Sequence, residues 1–226
     1  EEPLTSKKEM VSMVHNYEET SKLYFAGNQY LGKMRTDLER TETTLNKVAP
    51  TLIDAVIATE DENFYKHNGI VPKAVLRGLA QDISNSDSQT GGSTLTQQLA
   101  KNLFLSNERS WERKFKEFAF ALLMEKQLGK KRILELYLNY AEWGKNIFGC
   151  EAASQVYYKK SCAKLNIDQA INLAAVLASP TKHHPYMRQS QFMAKRRTVI
   201  YQNMFPPRDS VLKDSLEKLQ QTVEKD

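Results

Sequence analysis

Residues 50–69 read PTLIDAVIATEDENFYKHNG, and this stretch decides the fold class. Pro50 suits the first turn of a helix, where its missing N–H would have had no partner and its fixed φ is already helical. Leu52, Ile53, Val56 and Ile57 then recur at intervals of three and four, the spacing of a helical stripe turned toward a core. Glu60 falls on the continuation of that stripe, three residues after Ile57 and four before Phe64. A carboxylate placed there is partly desolvated, and desolvation makes such a group a better proton acceptor. The alternative is a glutamate that ends the helix in solvent, and position alone leaves both readings open.

Working outward, the same periodicity predicts further helices and few strands. After Gly69 and Pro72 a helix is expected through Ala74, Val75 and Leu79, followed by a polar loop from Asp82 to Thr90. The next helix starts at Gly91-Gly92-Ser93-Thr94, where Ser93 or Thr94 supplies the N-cap. Gln97 and Lys101 lie four apart, on one face with Thr94. Trp111, Phe115, Phe118 and Leu122 form the clearest amphipathic stripe, with Arg113, Lys114, Lys116 and Glu117 on the face read as solvated. Helices are also expected over Ile133–Asn139, burying Ile133, Leu134 and Leu138, and over Glu151–Tyr158. A last one is expected over Asp168–Ala178, capped by Asp168 and stopped by Pro180. Residues 1–47 are polar, with a modest stripe (Met10, Met13, Val14, Tyr17, Leu23), and read as a stalk or adapter before a mostly helical domain at 48–226.

Composition agrees. The chain has 226 residues, 41% hydrophobic and 26% charged, which is globular rather than disordered. Nine glycines and seven prolines are too few for the turns of an all-β fold. No run approaches the ~20 apolar residues that span a bilayer. The polar start Glu1-Glu2-Pro3 resembles a trimmed or mature terminus. Cys150 and Cys162 offer one pairing, either as two thiols or as a bridge. The net charge of +5 is uneven: residues 101–132 hold nine bases against four acids, and 182–208 contain no acid. An anionic partner belongs in the middle of the chain.

The motifs exclude several chemistries. There is no GxxxxGK loop, HExxH helix, CxxC pair or GxSxG elbow, and the four histidines lack metal-ligand spacing. Two carboxylates on helices remain, Glu60 and Glu117, with cations crowded beside the second. A glycosidase must protonate a poor leaving group and so needs a carboxylic acid as well as a carboxylate. A glycosyl transferase with a diphosphate donor needs only a base for the attacking hydroxyl, while cations stabilise the departing anion. Cations around one base-like glutamate favour the transferase.

The stretch EDENFYKHNG at 60–69 resembles the EDxxFxxHxG motif of bacterial peptidoglycan glycosyltransferases, the monofunctional transglycosylases and the N-terminal domains of class A penicillin-binding proteins. GGSTLTQQLAKN at 91–102, RKFKE at 113–117 and KKRILELYLN at 130–139 are similar to that family's second, third and fourth motifs. Arg196-Arg197 with Val199 resembles its fifth. The resemblance implies a mainly α, lysozyme-like domain with a small membrane-associated jaw lobe around Asp82 to Phe120. It implies polymerisation of lipid II into β-1,4 glycan strands, with inversion at the donor anomeric carbon and release of undecaprenyl diphosphate. Carried over by position, Glu60 is the base for the acceptor hydroxyl, and Glu117 assists near the donor diphosphate or positions a cation. Lys101 and Arg109 match diphosphate-stabilising positions, and Ser93, Gln98, Arg77 and Lys116 match polar positions of the cleft. Thr94, Gln97, Asn102 and Arg113 complete the implied substrate-binding set.

A divalent cation, Mg²⁺ or Mn²⁺, is expected from the family, with no ligands assignable. The implied partners are lipid II, the growing glycan, the membrane surface and other cell-wall synthesis proteins, with no nucleic acid. The implied location is the bacterial cell envelope, at the outer face of the cytoplasmic membrane. The cysteines stand outside the family pattern, and the transpeptidase signature set is not present, since SxxK spacings occur without any SxN or KTG. Two alternatives stay open. One is a lysozyme-like hydrolase or lytic enzyme acting on the same polymer. The other is a basic helical module that binds nucleic acid or membrane through 101–132 without catalysis.

Overall fold

A computed structural model describes residues 8, 10–12, 42–72, 92–105 and 111–206. The helix expected through Ala74–Leu79, the loop Asp82–Thr90 and residues 106–110 of the expected jaw lobe lie outside the described residues, as do Arg77, Arg109 and Met13, Val14, Tyr17 and Leu23 of the N-terminal stripe.

The opening helix forms as its sequence predicts. Helix α1 spans Pro50–Glu60 with Pro50 in its first turn. Its buried positions are Leu52, Ala55 and Val56, while Ile53 and Ile57 are half-buried, so the face is rotated slightly from the one the large side chains suggest. A 3-10 turn follows at Phe64–Lys66, with the Phe64 ring fully buried and Lys130 Nζ 4.4 Å from its centroid. Helix α2 spans Leu95–Phe104. Thr94, not Ser93, is its cap, in a reciprocal capping box with Gln97. Helix α3 covers Trp111–Gln127 and α4 covers Gly129–Tyr140. As expected, α4 buries Ile133, Leu134 and Leu138.

A short hairpin missed by the periodicity follows, β1 (Glu142–Gly144) antiparallel to β2 (Ile147–Phe148). Its turn places Asn146 at φ 62°, a left-handed conformation that asparagine tolerates. Helix α5 is Cys150–Tyr158. Helix α6 is Ile167–Val176, and its cap is Asn166 rather than Asp168: the Asn166 side chain accepts from Gln169 N, and Gln169 reaches back to the cap. Asp168 instead lies in the first turn. Helix α7, Gln191–Met204, is capped by Ser190.

The helices pack in two groups. Helix α6 packs on both α1 and α7, while α2 packs on both α3 and α4. Met10, near the N-terminus, is buried in the same core. Residues 43–45 are pinned to α4, where Thr43 N donates to Asn139 Oδ1 at 2.8 Å and Leu45 N to Glu135 Oε2 at 2.7 Å. Cys150 and Cys162 are buried free thiols with their sulfurs 3.8 Å apart, so no bridge joins them. Contact with Cys150, together with burial, raises the Cys162 thiol pKa well above its ordinary value.

Gly144 is required by packing. A Cβ there would fall 2.1 Å from the Tyr157 hydroxyl oxygen. Gly144→Ala is expected to cost about 1–3 kcal/mol in urea unfolding. The cost should shrink in a Tyr157→Phe background, where the obstructing oxygen is gone.

Candidate active site

Glu60 ends α1 where the two helical groups meet. Its side chain is 11% exposed and both carboxylate oxygens are engaged. Arg196 of α7 donates to Oε1 at 2.8 Å, and Gln98 of α2 donates through Nε2 to Oε2 at 3.1 Å. Arg196 also reaches Thr59 Oγ1 at 2.6 Å. Behind Gln98, the Tyr137 hydroxyl of α4 lies 3.1 Å from Gln98 Oε1. Glu60 therefore does not end its helix in open solvent. It is a mostly buried carboxylate gripped from two directions, and each oxygen keeps lone-pair capacity for one further donor.

The loop beyond Glu60 fixes the start of α2. Asp61 accepts from His67 Nε2 at 2.9 Å and from Leu95 N at 3.0 Å. Gly69 N donates to His67 Nδ1 at 3.1 Å, which leaves Nε2 as the protonated nitrogen facing Asp61. The Thr94 hydroxyl donates to Gly69 O at 2.5 Å. Gly69 has φ +86°, and a Cβ on it would stand 2.9 Å from Ala121 O and Glu125 Cγ. The Asp, His and Gly of the first motif are thus structural partners that carry α2 to Glu60.

Glu117 is the second carboxylate, and its setting reverses the expectation for α3. Two of the charged positions are buried and two of the apolar stripe are out: Glu117 is 3% exposed and Lys116 8%, whereas Phe115 is 67% exposed and Leu122 47%, with Arg113, Lys114 and Phe118 half-buried. The core face of α3 runs through Phe120, Ala121 and Met124. The charged face can be buried because it is paired. Arg113 donates to Glu117 Oε2 at 3.3 Å, Lys114 pairs with Oε1, and Gln97 Nε2 lies 3.4 Å from the same oxygen. Lys114 Nζ also donates to Ser93 Oγ at 3.1 Å. Periodicity treats charge as a mark of solvent and could not foresee a desolvated ion-pair cluster.

The structure therefore brings Gln98 to Glu60, Gln97, Arg113 and Lys114 to Glu117, and Ser93 to Lys114. Lys101 and Asn102, half-buried, follow Gln98 by three and four residues on the same face of α2. Thr94 is taken up in capping and in its bond to Gly69. Lys116 pairs with Glu112 at 2.9 Å and does not contact Glu117. Of the basic stretch 182–208, Arg196 and Arg197 turn inward, the latter donating to Asn172 Oδ1 at 2.9 Å. Lys114, of the third motif, was not among the predicted site residues, nor were Arg196 and Tyr137. The only sequence signals of the latter two were membership of the fifth and fourth motifs.

Among the described residues no three His, Cys, Asp or Glu side chains gather into a ligand set. Both oxygens of Glu117 already face cations.

A family model described as Transglycosylase matches residues 27–205. The chain belongs to the transglycosylase family. It is 40% identical over 176 residues to a Biosynthetic peptidoglycan transglycosylase of Paraburkholderia phytofirmans, an alignment covering 77% of this chain and 73% of the relative. It is 42% identical over 175 residues to the protein of that name from Bordetella avium, covering 75% and 72%. It is 39% identical over 182 residues to Penicillin-binding protein 1A of Aquifex aeolicus, covering 80% of this chain but only 25% of that longer protein. The fold is mainly α, as the resemblance implied.

The Asp61 hub generates a stability prediction. Asp61→Ala strands the Leu95 amide and the His67 ring, and should cost about 2–4 kcal/mol in chemical unfolding. Asp61→Asn, which still accepts from one of them, should cost less.

Proposed function

We propose that this transglycosylase polymerises lipid II into β-1,4-linked glycan strands, inverting the donor anomeric carbon and releasing undecaprenyl diphosphate. The observation that carries the reading is Glu60, mostly buried and held by Arg196 and Gln98, with Lys101 one turn beyond Gln98 on α2. In this reading Glu60 accepts the proton of the acceptor 4-hydroxyl as that oxygen attacks the donor carbon. Such a base contributes typically about 10²–10⁴-fold. The departing diphosphate is met by Lys101 and by Arg113 and Lys114, which Glu117 holds in place beside Ser93. Arg77, Arg109, Asn102 and Lys116 are assigned to substrate binding from the family motifs alone.

The hydrolase alternative needs a carboxylic acid free to protonate the leaving oxygen. Both glutamates are instead held by cations, Glu60 by Arg196 and Glu117 by Arg113 and Lys114, which suits the carboxylate role twice over. The names of the relatives support the same polymer and a place in the cell envelope, and the outer face of the cytoplasmic membrane is proposed on the family resemblance alone. No described helix is long and apolar enough to cross a membrane. A membrane-surface partner is supported by Phe115 and Leu122, which leave an apolar strip of α3 in water. Other cell-wall synthesis proteins remain proposed partners on the family resemblance alone.

The test is incubation of the full chain with labelled lipid II in detergent, with products resolved by length. The wild type should give a ladder of long glycans, and no product would sink the reading. Glu60→Gln should fall below about a tenth of wild-type activity while circular dichroism shows the fold kept. Lys101→Ala should lose about 10–10³-fold in turnover, the scale of removing a charge that meets a developing anion.

A further inference from the structure

Among the described residues, Tyr137 is hydrogen-bonded to the Glu60 site through Gln98. It is 2% exposed, and its hydroxyl lies 3.1 Å from Gln98 Oε1 while Gln98 Nε2 lies 3.1 Å from Glu60 Oε2. A side-chain amide has a donating end and an accepting end, and a carboxylate only accepts. Glu60 must therefore receive Nε2, which turns Oε1 to Tyr137, where only a donating hydroxyl satisfies it. The reverse orientation would set the amide oxygen against the carboxylate oxygen. Tyr137 remains a phenol that can donate: burial and then the charge of Glu60 raise its pKa well above the ordinary value, with Arg196 opposing and Asp61 adding to the rise.

We infer that Tyr137 is a positioning residue for transglycosylation: its hydroxyl locks the Gln98 amide in one orientation, and Gln98 with Arg196 then holds the Glu60 carboxylate at a fixed angle to the acceptor hydroxyl. The inference rests on the reading of Glu60 as the base. A phenylalanine would fill the same volume, so packing does not require the oxygen. The geometry of the base does. A carboxylate held at one oxygen by Arg196 alone could rotate about its terminal bond, and misplacement of a reacting group by a fraction of an ångström slows chemistry without weakening substrate binding.

The experiment uses the full chain, lipid II in detergent and initial rates of glycan formation. Tyr137→Phe should lower kcat about tenfold and leave KM within about twofold, the pattern of an interaction needed in the transition state. Gln98→Ala should lower kcat at least as far. Adding Tyr137→Phe to Gln98→Ala should then cost nothing more, because the hydroxyl acts through the amide. Thermal unfolding of each variant accompanies the rates, and Gln98→Met takes the place of Gln98→Ala if the latter does not fold. A Tyr137→Phe enzyme with unchanged kcat overturns the inference. So does one that loses only KM, or a double variant in which the two losses multiply. A wild type that makes no polymer instead removes the functional reading, and this inference falls with it. A polymerising wild type with a silent Tyr137→Phe removes the inference alone.

Discussion

Successive glutamines on the first turn of α2 serve two carboxylates that come from different helices. Gln97 faces Glu117 of α3 and Gln98 faces Glu60 of α1. Everything else about the site depends on that turn being held in one place and one rotation, since 100° about the helix axis separates adjacent side chains. Three contacts hold it. The capping box between Thr94 and Gln97 fixes the helix start, Asp61 takes the Leu95 amide, and the Thr94 hydroxyl reaches Gly69 O. The first and second motifs are thus one physical object. The carboxylate beside Glu60 and the glycine at the end of its loop set the position of the helix that delivers Gln98.

Much of this architecture is legible in the sequence, and the parts that are not share a cause. Pro50, the 52/56/60 spacing and the buried positions of α4 follow from rules that act within one helix. The failures occur where a distant residue changes the local preference. On α3 the apolar residues suggested the core and the charges suggested water. Tertiary pairing of Glu117 with Arg113, Lys114 and Gln97 inverted that, leaving Phe115 outside. Asp168 looks as good a cap as Asn166, but only Asn166 is three residues before a glutamine that closes the box. The hairpin at 142–148 is too short for a period of two to register, and it exists because Gly144 lets Tyr157 lie across it. Glu60 could be singled out from its place on the stripe. Arg196, which lies 136 positions later and holds it, could not.

The inversion of α3 also bears on how charge is used. A count of bases over 101–132 describes a field but not its direction. In the fold these bases divide by role. Lys130 is paired with Glu125 and lies over the Phe64 ring, Lys116 is paired with Glu112, and Arg113 and Lys114 converge on Glu117 beside Ser93. The last pair combines positive charge with the edge of α2, where Gln97 lies on the same carboxylate. A cation held by an anion in a desolvated place costs free energy to bury, and that cost is tolerated where the geometry is needed elsewhere.

The Glu60 grip comes from three helices that meet only when both helical groups are assembled: α1 and α7 belong to one, α2 to the other. Arg196 alone would leave the carboxylate an ion pair within its own group, free to turn about its last bond. Gln98 alone would leave it hydrogen-bonded but without a neutralising charge. With both, the position of the carboxylate reports the alignment of the two groups, so a shift of α2 against α1 by the length of a hydrogen bond would break the Gln98 contact first and leave the ion pair intact. The amide is therefore the sensitive joint of the site, and the residue that holds its far end, Tyr137 on α4, couples the packing of the α2–α3–α4 group to the chemistry at the end of α1.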